Sequence, residues 1–163
     1  MSADPGAELR AEEAPAALPV IEEFEQGPLV GILIGSESDR ERMQAALDEL
    51  EARGIAHEFE VRSAHRTPDA VADYARTARE RGLRVLIAGA GLAAALPGVV
   101  AAHTDLPVIG VPLTSSRSVA GGLDALLSIA QMPPGVPVAC VGVDSARNAA
   151  VLAARILGVR GAE

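Results

Sequence analysis

Leu29-Val30-Gly31-Ile32-Leu33-Ile34-Gly35-Ser36-Glu37-Ser38-Asp39 decides how the rest of this chain is read. Six apolar residues in a row suit a strand buried on both faces, as in a parallel sheet. The small polar loop after them leads into Asp39 to Arg53, where Met43, Ala46, Leu47 and Leu50 recur at helical spacing. A strand that feeds a helix through a glycine and serine loop offers hydroxyls and backbone N–H groups at a helix start, where an anion is favoured.

The same alternation repeats downstream. Gly54 stops the first helix and His57 to Val61 reads as a second strand nearer a sheet edge. Ser63-Ala64-His65-Arg66-Thr67-Pro68 follows, with Thr67 as N-cap, Pro68 in the first turn and Asp69 as an early acid. That helix is expected to run to Gly82. Val85 to Ala88 is the third strand, with Gly89-Ala90-Gly91 as its loop and a short helix from Pro97 to Thr104. Pro107 to Val111 leads through Thr114-Ser115-Ser116-Arg117-Ser118 into a helix from Leu123 to Ala130. Val136 to Val141 and a helix from Ala146 to Leu157 complete five strand-helix units. The pattern predicts an α/β fold, a doubly wound parallel sheet with ligands outside the carboxyl ends of its strands. Every polar loop named here lies at such an end.

Composition removes alternatives. All 14 basic residues are arginine, which excludes lysine-dependent Schiff-base and Walker-type chemistry. The net charge of −8 is concentrated in residues 1–27, read as a flexible acidic tail ahead of a single domain from residue 28 to residue 163. With a nearly neutral body and only Phe24, Phe59 and Tyr74 for stacking, no nucleic-acid partner is expected. One cysteine, Cys140, and three histidines give neither a disulfide nor a zinc spacing, so no metal is expected and a reducing, cytoplasmic compartment is. No apolar run approaches the ~20 residues needed to cross a membrane. The final helix is apolar on nearly every face, which predicts burial against another subunit.

Two loops carry the candidate chemistry. Ser36, Ser38 and Asp39 supply hydroxyls and an acid; Arg66 supplies a cation suited to a phosphate, and His65 is the residue type that moves protons near neutral pH. His57 and His103 lack such company, and Cys140 reads as a small buried hydrophobe. Gly89-Ala90-Gly91-Leu92-Ala93-Ala94 fits G-x-G-x-x-A, but the next strand ends Val111-Pro112-Leu113 without the acid that a dinucleotide site requires. Its glycines instead suit close approach of backbone to a flat ligand.

Taken in order, Gly35-Ser36-Glu37-Ser38-Asp39, Ser63-Ala64-His65-Arg66-Thr67-Pro68, Ala88-Gly89-Ala90-Gly91, Leu96-Pro97-Gly98 and Ser128-Ile129-Ala130-Gln131-Met132-Pro133 resemble the N5-carboxyaminoimidazole ribonucleotide mutase family of purine biosynthesis. The resemblance covers residues 29–158 and implies a flavodoxin-like three-layer sandwich with a five-stranded parallel sheet, assembled into homo-octamers. It implies a cofactor-free transfer of a carboxylate from the exocyclic nitrogen to the ring carbon of an aminoimidazole ribonucleotide, through carbon dioxide held in the site. His65 matches the general acid and base. Ser36, Ser38 and Arg66 match the phosphate contacts and Asp39 the ribose contact. Ser63, Ala64 and Gly91 match the wall around the base and the carbon dioxide, and Gly89 and Leu92 are expected to bind substrate beside them. Arg66 points to the mutase branch rather than the animal-type carboxylase, which has lysine there. Leu92 stands where the family has glycine, Ala95 where it has histidine and Thr114 where glutamine is common. Those departures leave two other readings open: a carboxylase or decarboxylase on another azole nucleotide, and a non-catalytic nucleotide-binding protein.

Overall fold

A computed structural model describes residues 27–159. The acidic tail expected over residues 1–27 lies outside the described residues but for Gly27. Five parallel strands are ordered β2-β1-β3-β4-β5, with β1 at Val30–Ile34, β2 at His57–Val61, β3 at Val85–Gly91, β4 at Val108–Leu113 and β5 at Ala139–Cys140. This is the flavodoxin-like order, and its direction reverses between β1 and β3. The α/β class, the parallel sheet and its strand number are those expected from the alternation of the sequence.

Alternation within each buried strand makes the three layers. Val30, Ile32 and Ile34 point to one face, against Met43, Ala46 and Leu50 of α1 (Arg40–Ala52) and Ala149 and Ala153 of α5 (Ala146–Val159). Leu33, Leu86 and Ala88 point to the other, against Val71 and Ala75 of α2 (Pro68–Thr77), Val100 of α3 (Leu96–Ala102) and Ile129 of α4 (Leu123–Ala130). Gly31 is required by this packing, because a Cβ there would lie 2.3 Å from Tyr74 Oη on α2.

Four differences from the sequence reading have physical causes. The helix α2 ends at Thr77 rather than at Gly82, and a turn with Leu83 N–H donating to Ala78 O carries the chain on to β3. The segment Gly89-Ala90-Gly91 continues β3 rather than forming a loop, because the β3 to β4 ladder runs on to Gly91 opposite Leu113. The last strand shrinks from Val136–Val141 to Ala139–Cys140, since Pro137 has no N–H for the ladder ahead of Ala139, and Pro112 of β4 has none to offer beyond Cys140. The last helix needs no second subunit on its alanine face: Ala146, Ala149, Ala150, Ala153 and Ala154 are buried in the domain's own core. Exposed apolar surface sits elsewhere, at Val119, Leu123 and Leu127, which are 65%, 44% and 49% exposed.

One polar group is buried without any sequence signal. Glu49 on α1 takes hydrogen bonds from Arg53 Nε at 2.8 Å and from Arg147 Nε of α5 at 2.7 Å, joining the two helices of that face. These two guanidiniums, Arg53 first, hold its carboxyl below the usual carboxylate range.

Candidate active site

The registers of the sheet bring three loops to one rim. Ile34 pairs with Val61 on one side and with Gly89 on the other, so β1 and β2 end level with each other and β3 runs two residues further along the carboxyl rim, to Gly91. The crevice between β1 and β3 is where the order reverses and where ligands of this architecture bind.

The β1 loop is built on Ser36. Its Oγ caps the single turn Glu37–Asp39, accepting from Ser38 N at 3.4 Å and from the Ser38 hydroxyl at 3.0 Å. Asp39 precedes α1 without a side-chain cap bond, and its burial, only partly offset by Arg42, raises its carboxyl above the usual range. A half-buried carboxylate with unspent acceptor capacity suits a ligand hydroxyl. Glu37, by contrast, is committed: Arg40 pairs with it and also lies 4.4 Å above the Phe59 ring.

The β2 loop is tied to the first by its own arginine. Arg66 Nη2 donates to Gly35 O at 2.8 Å, while Arg66 N donates to Ser63 Oγ at 3.2 Å and the Thr67 hydroxyl to Ser63 O at 3.1 Å. Ser63 thus folds the loop from below and Arg66 closes it from above. One nitrogen of the planar guanidinium is used on Gly35, and the others remain for a bound anion. His65 and Arg66 are exposed, whereas Ser63 and Ala64 are half-buried. Under the loop Arg62 donates to Ala70 O at 3.3 Å and lies 5.3 Å from the Tyr74 ring.

The β3 rim forms the third side. Gly89 is buried within the strand, and a Cβ there would come 2.7 Å from Met43 Sδ, so its missing side chain admits α1. Gly91 would place a Cβ 2.8 Å from Leu113 O, which fixes this end of β3 against β4. Leu92 has a φ of 55°, in the left-handed region that costs a branched side chain roughly 1–2 kcal/mol. Ala120 and Asp144, with φ of 47° and 53°, are the other non-glycine residues of this kind among the described residues. All three follow carboxyl ends, those of β3, β4 and β5, and strain of this sort gathers at functional rims.

The structure therefore brings Ser36, Ser38, Asp39, Ser63, Ala64, His65, Arg66, Gly91 and Leu92 to one rim, and puts Gly89 beneath it. Sequence reasoning missed Asp144, whose carboxylate accepts from Thr114 N at 2.9 Å and from the Thr114 hydroxyl. The signal was there in Thr114, but nothing in the sequence pairs it with a residue 30 positions on. His57, half-buried, hydrogen-bonds Ile55 O through Nδ1, and His103 caps α3; neither joins the rim. Burial raises the Cys140 thiol. No group of three or more metal-ligating side chains occurs among the described residues. A surface groove of about 550 Å³ lies at the opposite end of the sheet, lined by Arg76, Arg79, Glu80, His103 and Asp105, where Arg79 already pairs with Asp105.

Comparison with known proteins bears directly on this rim. The model of the AIR carboxylase family matches residues 29–163, a span that includes every loop just described. The chain belongs to the AIR carboxylase family. Within that family it is 58% identical over 132 residues to the N5-carboxyaminoimidazole ribonucleotide mutase of Bacillus subtilis, covering 80% of each chain. It is 57% identical over 133 residues to the protein of that name from Pyrococcus abyssi, covering 82% of this chain and 75% of that one. Among solved structures, PurE from Treponema denticola superposes with a TM-score of 0.70 at 33% identity, covering 81% of each chain. The chain is thus an AIR carboxylase family enzyme of the mutase type, a kind of isomerase. Among its described residues no helix is long and apolar enough to cross a membrane.

Proposed function

We propose that this enzyme moves a carboxylate from the exocyclic nitrogen to the ring carbon of an aminoimidazole ribonucleotide, a step of purine biosynthesis, with His65 as general acid and base. The observation that carries the reading is the joining of two loops at the β1/β3 crevice by Arg66 and Gly35, in a chain more than half identical to proteins named for this reaction. The nucleotide phosphate binds Ser36, Ser38 and Arg66, and a ribose hydroxyl binds Asp39. The base lies against Ser63, Ala64, Gly91 and Leu92. Breaking the bond from nitrogen to carboxyl releases carbon dioxide, and the nitrogen takes a proton from His65. The ring carbon then attacks the same carbon dioxide, and its proton returns to His65, so the residue ends as it began. No cofactor enters this balance.

His65 and Arg66 are exposed on a single chain, so the rim is an open shelf. Holding carbon dioxide through two steps needs a cover that excludes water. The exposed apolar residues Leu123 and Leu127, one turn apart on α4, with Val119 in the turn that precedes the helix, support association of copies, and the assembly proposed is a homo-octamer in the cytoplasm.

His65→Asn tests the reading. Turnover of the N5-carboxylated nucleotide, followed by absorbance of the ring-carboxylated product, falls by at least about a hundredfold, the usual contribution of a general acid or base. Calorimetry on aminoimidazole ribonucleotide gives an unchanged Kd. Loss of binding together with turnover overturns the role of His65, and a wild-type protein with no rate above background overturns the function.

A further inference from the structure

The end of β4 is held in an unusual way. The β4 to β5 ladder stops at Gly110 opposite Cys140, with Val141 N–H donating to Gly110 O at 3.1 Å. Beyond it Pro112 has no N–H to offer, while on its other side β4 stays paired with β3 as far as Leu113 opposite Gly91. Asp144 bridges this gap. Its N–H donates to Pro112 O at 2.8 Å and its Oδ1 accepts from Thr114 N at 2.9 Å, the bond that a strand carbonyl would have made. Its Oδ2 accepts the Thr114 hydroxyl. To reach all three partners Asp144 adopts its φ of 53°, a conformation an aspartate tolerates better than most residues.

We infer that Asp144 is a positioning residue for the carboxylate transfer: by clasping Thr114 it fixes the end of β4 on which the Gly91–Leu92 wall of the site leans. The inference rests on the function proposed above. Mechanical continuity is short. Thr114 follows Leu113, and the Leu113 carbonyl lies where a Cβ on Gly91 would be only 2.8 Å away, leaving the wall no room to move independently of β4. The proposed phosphate anchors Ser36 and Arg66 sit on the loops after β1 and β2, across the crevice from the clasp. Releasing the clasp therefore loosens the side of the site that confines carbon dioxide and leaves the nucleotide anchor in place.

Two substitutions separate the clasp from backbone strain. Asp144→Gly removes the carboxylate at a position where glycine is relaxed, so the fold survives; Asp144→Asn keeps the Oδ1 acceptor and accepts the same φ. For Asp144→Gly the expected result is a fall in kcat of about tenfold with KM changed less than about twofold, the signature of misplaced reacting groups. A larger share of turnovers also ends in decarboxylated nucleotide, because carbon dioxide escapes before the ring carbon attacks it. That partition is one a merely structural residue leaves alone. Asp144→Asn restores both values to near wild type. An unchanged kcat and partition in Asp144→Gly, or an Asp144→Asn enzyme as impaired as Asp144→Gly, overturns the inference. Amide hydrogen exchange on the free protein decides it without turnover: exchange over residues 89–95 speeds up about tenfold in Asp144→Gly and is unchanged over α1. If the wild-type enzyme carries out no transfer, the proposed function falls, and equal exchange over residues 89–95 in the two proteins removes the clasp as well.

Discussion

Two glycines on the same rim, Gly35 and Gly91, separate binding from stability. A Cβ on Gly35 meets nothing within 4 Å, and the residue is not in the left-handed region, so alanine there costs the fold no contact. Its restriction of the unfolded chain adds roughly 0.4–1 kcal/mol of stability instead. The same methyl projects from the loop that joins Ser36 to Arg66, where the proposed phosphate needs bare backbone N–H groups. Losing one charge-assisted hydrogen bond there costs about 1.5–3 kcal/mol, or roughly ten- to a hundredfold in affinity. In Gly91→Ala the new methyl meets the Leu113 carbonyl at 2.8 Å, and backbone cannot swing aside as a side-chain end can. Overpacking of this kind costs about 1–3 kcal/mol, which lowers the Tm by roughly 2–12 °C in a domain of this size. Calorimetric titration with aminoimidazole ribonucleotide and thermal melts on both variants make the test. The expected pattern is a Gly35→Ala protein that melts at or slightly above the wild type and binds at least about tenfold more weakly, beside a Gly91→Ala protein that melts lower. An unimpaired Kd in Gly35→Ala refutes the β1 loop as the phosphate cradle and leaves Gly35 as a turn residue.

Two further outcomes concern stability and assembly. The Glu49 carboxyl is held below its ordinary value of 4.5 by Arg53 and Arg147, so the stability it contributes is complete above that value and is lost as pH falls through the lower folded value. The Tm of Glu49→Gln is therefore below wild type by a constant gap from about pH 8 to pH 6 that narrows below about pH 4.5, and a gap independent of pH refutes the ionic account. Leu127→Glu puts a charge in the exposed stripe of α4 and lowers the mass seen by light scattering; an unchanged mass refutes this face as an interface.

The sequence made the fold legible because buried parallel strands are continuous apolar runs and their helices repeat at 3.6 residues. Val30–Ile34 and Arg40–Ala52 follow directly from those periods. What the periods could not carry were terms that depend on a neighbouring strand. Glycine after Val85–Ala88 reads as a loop, but the β4 ladder keeps Gly89 and Gly91 in β3. An apolar run at Val136–Val141 reads as a strand, but Pro137 has no N–H for its start and Pro112 on the partner strand none for its continuation past Cys140. Ser36, Asp39 and Ser63 were legible as loop residues because turn chemistry and ligand chemistry use the same small polar types, and His65 and Arg66 because a proton-moving ring and a fixed cation stand side by side after a strand. The bond from Arg66 to Gly35 and the clasp of Thr114 by Asp144 join residues 31 and 30 positions apart, and no local pattern announces such pairs.

The shortness of β5 has a bearing on how this protein avoids sticking to itself. A sheet edge exposes unpaired backbone groups that another chain can extend into a fibre, and natural proteins blunt edges with short or charged strands. One edge here is only two residues long, Ala139–Cys140. The other edge, β2, alternates His57-Glu58-Phe59-Glu60-Val61, placing two acids among its five residues, and Glu58 is locked by Tyr74 and Arg81. Neither border offers a template for strand addition. The sheet is closed to growth from both sides, and orderly contact between copies is left to the helices.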